Sequence, residues 1–206
     1  MKRKDAGGMG NNLLRSLMAK KINAVLGISI IVIFLVHILY EIVAYLTFYY
    51  NPAVTKIIAY TALVAVVLHI LLSVYIVAFV HDKGKGMKYP ALNARTLIQR
   101  ITAVLMTVLV IFHMNTFKLL SMNAKTNMPV FVLVLAVQII FYASVLLHVA
   151  VSAGNALITL GLVTSGKTRK KIDIFVWIIC AVLFAIASVI IVKTQVSMFL
   201  GQGGIS

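Results

Sequence analysis

A five-helix, all-α integral membrane bundle is the fold class this sequence predicts, on three observations. The 206 residues are 62% hydrophobic and 11% charged, with a mean hydropathy of +1.07, whereas globular chains carry about 25% charged residues. The windows 22–40, 57–81, 101–117, 126–166 and 174–192 hold no Lys, Arg, Asp or Glu, and roughly 20 apolar residues cross a bilayer. Basic residues fall between these windows in an alternating pattern. The ten-residue alternation of a membrane barrel is absent, and a lipid-exposed backbone that must satisfy its own hydrogen bonds favours helix.

Taken in order, the spans are 22–48, 56–80, 98–121, 129–162 and 172–194, within a single membrane-anchor unit over 1–206. The first follows a basic N-terminus in the manner of a signal peptide. Its apolar run is too long for one and shows no clear small-residue cleavage site, so it reads as a retained span. The segment 5–12 (DAGGMGNN) reads as a flexible tail. Between spans two and three, 81–96 is polar and carries Gly84, Gly86 and Pro90, which predicts a true connection. Pro129 suits the start of span four. That span is long, and Gly154-Asn155 could divide it into two.

Charge decides against the division. Lys2, Arg3, Lys4, Arg15, Lys20 and Lys21 precede span one. Lys83, Lys85, Lys88, Arg95 and Arg100 separate spans two and three, and Lys167, Arg169, Lys170 and Lys171 separate four and five. With five spans these fifteen basic residues share one face, and only Lys56, Lys118, Lys125 and Lys193 occupy the other. The positive-inside rule then places the N-terminus in the cytoplasm and the C-terminus outside, with span four as one long, tilted helix. The net charge of +15 thus reflects topology and a partner surface, not nucleic acid. Cys180 is the sole cysteine. No disulfide within the chain and no iron–sulfur or cysteine-rich zinc site can form, so any iron–sulfur centre belongs to another subunit.

Four histidines, His37, His69, His113 and His148, lie one in each of the first four spans. An ionisable side chain inside a membrane span is costly and marks a functional site by default. His37 and His113 each lie 15 residues from the inner start of their span, about 22 Å deep by helical rise. Equal depth pairs these two, and the remainder pairs His69 with His148. Two pairs of imidazoles within a helical bundle suit two b-type haems, since paired axial imidazoles leave no open site for oxygen and serve electron transfer. Hydrogen bonding between helices is the bland alternative. A zinc site suits ligands on four helices at two depths poorly. His81, beside Asp82, reads as interfacial. Arg100, Lys20, Lys21, Lys88 and Arg95 on the inner side, and Lys56 and Lys118 on the outer, are available to haem propionates, although topology alone also explains them. The small residues Ala150, Ser152, Ala153 and Gly154 give either room for a macrocycle or a close helix contact. Glu41 lies four residues after His37, on the same helix face, and is a candidate for quinone proton exchange. It could equally pair with Lys56 or Lys118.

The pattern resembles the cytochrome b membrane anchor subunit of succinate dehydrogenase/fumarate reductase, in its five-helix, two-haem form. The resemblance rests on Ser16-Leu-Met-Ala-Lys20-Lys21 followed by Gly27 and His37, on Arg95-Thr-Leu-Ile-Gln99-Arg100-Ile-Thr102 followed by His113, and on His148 followed by Gly154 and Asn155. The likeness covers nearly the whole chain through loose motifs in a specific order. Glu41 departs from it, because small or amide residues are common there. The resemblance implies a distal haem on His37 and His113 and a proximal haem on His69 and His148. It implies a flavoprotein with FAD and an iron–sulfur subunit on the cytoplasmic side, and menaquinone in a bacterial or archaeal cytoplasmic membrane. This chain would then carry electrons to or from quinone, while dicarboxylate chemistry takes place on the flavoprotein. Two other readings are an anchor of a hydrogenase or formate dehydrogenase, and a transporter with a histidine proton relay.

Overall fold

The computed structural model describes residues 4–80 and 90–201. Five helices follow one another: α1 (Lys4–Thr47), α2 (Pro52–Tyr75, extended by a π-helical turn at Ile76–Val80), α3 (Pro90–Asn123), α4 (Met128–Thr159) and α5 (Gly166–Leu200). All five are long and apolar enough to span a membrane. The expected elements are therefore present; α1, α3 and α5 extend beyond their charge-free windows at both ends, while α4 lies inside its own.

Residues 5–12, expected as a flexible tail, are instead helical and continue α1. Once a long apolar segment has nucleated a helix, each further residue adds a hydrogen bond at little cost, and the glycines here do not stop it. The connection expected over 81–96 is shortened from its far side, because α3 begins at Pro90, where a ring that lacks an N–H is at no disadvantage in the first turn. His81, Asp82, Lys83, Lys85 and Lys88 lie outside the described residues.

Local chemistry sets the other ends. The Asn51 side chain accepts from the Ala53 and Val54 N–H groups at the start of α2, with Pro52 next to it. The Asn51 N–H donates to the Tyr40 hydroxyl at 3.1 Å, which fastens the α1–α2 turn to α1. Asn127 caps α4 and Ser165 caps α5. Span four is a single helix, with Gly154 and Asn155 inside it. The chain turns only at Gly161, whose φ of +77° suits a residue without Cβ.

The packing is uneven. α4 lies at the centre, against α3, α5 and α1, while α2 packs closely against α1 alone. Ten residues of α4 are buried, against Ala62 alone on α2. One apolar cluster joins Leu120, Ala124 and Phe131 to Phe199 and Leu200, and a second joins Leu146, Ala150 and Cys180 to Ile38, Val176 and Leu183.

The basic end of α3, α4 and α5 is closed by a polar clasp. The Arg95 guanidinium donates to both Asp173 oxygens at 2.8 and 2.9 Å, and its Nε donates to the Val151 carbonyl at 2.7 Å. Arg169 donates to Asn155 Oδ1 at 3.1 Å and lies 3.8 Å from Asp173. A Cβ at Gly154 would displace the Asp173 carboxylate and so disturb its pairing with Arg95. Gly154 thus serves a close helix contact. Arg95, one of the expected propionate partners, pairs in this structure with Asp173, whose two oxygens match the guanidinium fork.

Candidate functional site

Of the four span histidines, two stand ring to ring. His37 on α1 and His113 on α3 stand with ring centroids 6.4 Å apart and planes at 88°. His69 on α2 lies within electrostatic reach of His148 on α4. No three His, Cys, Asp or Glu side chains gather among the described residues, so the arrangement is two pairs and not one cluster. This is the pairing that equal depth suggests.

Within each pair one imidazole has a hydrogen-bond partner on its Nδ1 and the other has none there. His148 Nδ1 lies 3.1 Å from the Gln99 carbonyl oxygen and 3.1 Å from Thr102 Oγ1. A carbonyl only accepts, so Nδ1 carries the proton and Nε2 keeps its lone pair. His113 Nδ1 lies 2.9 Å from the Gln138 side-chain amide. Its ring also stacks on Phe141 at 4.6 Å and meets Tyr142 edge-on. Gln138 is 4% exposed, and it is held by Thr116 and by Tyr142 one turn along α4. The Nδ1 atoms of His37 and His69, by contrast, are buried with no hydrogen-bond partner. His69 passes close to the Asn23 carbonyl, and a Cβ at Gly27 would lie 3.6 Å from its Cε1. Buried polar atoms are nearly always satisfied, so two orphaned imidazole nitrogens set this interior apart.

Glu41 is half-buried one turn beyond His37. It accepts a hydrogen bond from Thr55 Oγ1 at 3.3 Å, and the ion pairs of the described residues involve only Arg95, Arg169 and Asp173. The pairing of Glu41 with Lys56 or Lys118 is therefore replaced by a neutral partner, the hydroxyl that the short α1–α2 turn brings to it. Tyr45 and Tyr142 lie within its electrostatic reach. Tyr45 stacks on Phe117 and accepts from Gln195 Nε2 at 3.5 Å, while Gln195 Oε1 is buried without a partner. The remaining propionate candidates, Arg100, Lys20, Lys21, Lys56 and Lys118, are exposed on α3, α1 and α2.

Sequence reasoning did not single out Gln138, Thr116, Tyr142 or Thr102. A signal for Gln138 was present, as the one glutamine in the long charge-free window 126–166.

No family model matches the chain, and neither a curated protein nor a solved structure matches it.

Proposed function

We propose that this chain is a dihaem cytochrome b membrane anchor of a succinate:quinone oxidoreductase. In this reading it has its N-terminus in the cytoplasm and lies in a bacterial or archaeal cytoplasmic membrane. The observation that carries the reading is the His37–His113 geometry. Metal–imidazole bonds of about 2 Å on either side of one ion, with each ring centre ~1 Å beyond its nitrogen, put two centroids roughly 6 Å apart. The 6.4 Å between the His37 and His113 ring centroids is close to that separation. A direct hydrogen bond between two imidazoles draws the rings closer and uses their nitrogens on each other.

In this reading His37 and His113 hold the distal haem, and His69 and His148 the proximal one. Bound haems supply one-electron carriage between an iron–sulfur centre and quinone. The chain supplies the rest. Its histidines are presented from four helices, two of them fixed as Nδ1–H tautomers or amide-bonded. Its apolar walls exclude water. Glu41, with Thr55 beside it, offers a carboxylate to quinone protons at the end opposite the basic face. Arg100, Lys20 and Lys21 remain available for propionates. The basic face docks an iron–sulfur subunit and, through it, a flavoprotein with FAD, because a positive patch favours an acidic partner. Menaquinone is the quinone this reading carries.

Pyridine haemochrome quantitation against protein tests it, with two low-spin b haems per chain expected. A value near zero removes the reading, and a value of one removes the second pair.

A further inference from the structure

The carboxamide of Gln138 stands at the junction of three hydrogen-bonding groups, and their protons can be counted. One end of the amide, taken as Nε2, faces His113 Nδ1 at 2.9 Å and the Tyr142 hydroxyl. The other end, taken as Oε1, faces Thr116 Oγ1 at 2.8 Å. Thr116 Oγ1 also lies 3.0 Å from the Phe112 carbonyl, one turn earlier on α3. That arrangement asks the single Thr116 proton to serve two acceptors at once. The two ends of an amide have the same shape, and the hydrogen-bond network decides between them. With the amide turned, each proton is used once. Thr116 donates to the Phe112 carbonyl, and Gln138 Nε2 donates to Thr116. His113 Nδ1–H and the Tyr142 O–H donate to the two lone pairs of Gln138 Oε1.

We infer that Gln138 is the positioning residue of His113, its carboxamide oxygen accepting the Nδ1 proton and so fixing Nε2 as the nitrogen free to bind a metal. This inference rests on the haem reading of the same pair and deepens it. The neighbouring pair reaches the same tautomer by another route, since His148 donates to the Gln99 backbone carbonyl, which no side-chain substitution removes. Gln138 therefore controls one pair only. An acceptor on the outer nitrogen of a ligating imidazole orients the ring and raises its basicity, which favours the ferric form.

Two measurements on the full chain test this. In the assembled complex, redox titration of Gln138→Leu should raise the midpoint potential of one b haem and leave the other unmoved. A tenfold loss of ferric preference corresponds to 59 mV for a one-electron couple. Gln138→Glu should move the same haem in the opposite direction, and Tyr142→Phe, which frees Oε1 from a competing donor, should lower it by less. In the haem-free chain labelled with 15N-histidine, the resonances lost in His113→Ala should be those of an Nδ1–H tautomer. Two haems present with no potential moved by any variant, or an Nε2–H tautomer at His113, overturns the role of Gln138. Absence of haem from the unaltered protein instead overturns the functional reading and leaves the tautomer measurement to decide the Gln138 assignment, so the two failures are distinct.

Discussion

The α3–α4–α5 half of the bundle and the α1–α2 half hold two histidines each, and they hold them differently. His148 sits on α4, the most deeply buried helix, and His113 on α3, which packs against it, and each has a hydrogen-bond partner on its Nδ1. The Nδ1 atoms of His37 and His69, on α1 and α2, have none. A side-chain amide and a backbone carbonyl fix the first two rings. His69 has the Asn23 carbonyl close by, and His37 has no such neighbour on its Nδ1.

The strongest way to break this comparison is to remove the histidines themselves. His113→Ala and His37→Ala should abolish the same haem, and His69→Ala and His148→Ala the other, read by redox titration of each purified variant. The two members of a pair should then differ in their effect on the protein. His113→Ala strands the buried Gln138 amide, a cost of about 1–3 kcal/mol, so its thermal midpoint should fall below that of His37→Ala. The same haem lost from His37→Ala and His148→Ala would mean that the rings are paired otherwise.

The clasp sharpens the contrast between the two halves. Asp173→Asn removes the charge that two Arg95 nitrogens share, and hydrogen bonds to charged groups contribute about 1.5–3 kcal/mol. Gly154→Ala should do comparable damage by pushing the carboxylate aside. Thr55→Val, which deletes the neutral bond to Glu41 in the α1–α2 half, should cost under about 1 kcal/mol. Thermal unfolding in detergent compares all three. Equal losses from Asp173→Asn and Thr55→Val would show that the halves are equally dependent on their polar contacts.

The same division explains what could be read from the sequence. Helix number follows from charge-free windows, because a charge inside hydrocarbon is costly wherever the chain places it. The meeting of His37 and His113 follows from depth, which helical rise converts directly from residue number. Contacts between helices do not follow in this way. Arg95 reads as one more basic residue of the inner face until α5 brings Asp173 beside it, and Gln138 reads as an isolated amide until α3 brings His113 and Thr116. Gly154 reads as one more small residue until α5 brings the Asp173 carboxylate against it. Such pairings span 19 to 78 positions of sequence and are set by rotation of one helix against another, which periodicity in one span does not encode.

The smallest effect, and the one most specific to function, concerns Glu41. This carboxylate lies on the His37 face of α1, half-buried, with a hydroxyl as its hydrogen-bond partner and no lysine in an ion pair with it. A structural ion pair would have fixed it as an anion, whereas a carboxylate beside a neutral donor can take up and release a proton. Quinone reduction needs protons as well as electrons, and the α1–α2 half, less tightly packed, is where a headgroup can approach. Glu41→Gln keeps the volume and the hydrogen bond to Thr55 but cannot exchange a proton. Haem content and dye-linked succinate oxidation should persist in this variant, while quinone-linked turnover falls at least tenfold, equivalent to about 1.4 kcal/mol on the barrier. Thr55→Val should retain most of that turnover, because the proton-carrying group is intact. Unchanged quinone-linked turnover in Glu41→Gln would assign the carboxylate to the α1–α2 turn alone, and the two halves would then differ only in packing.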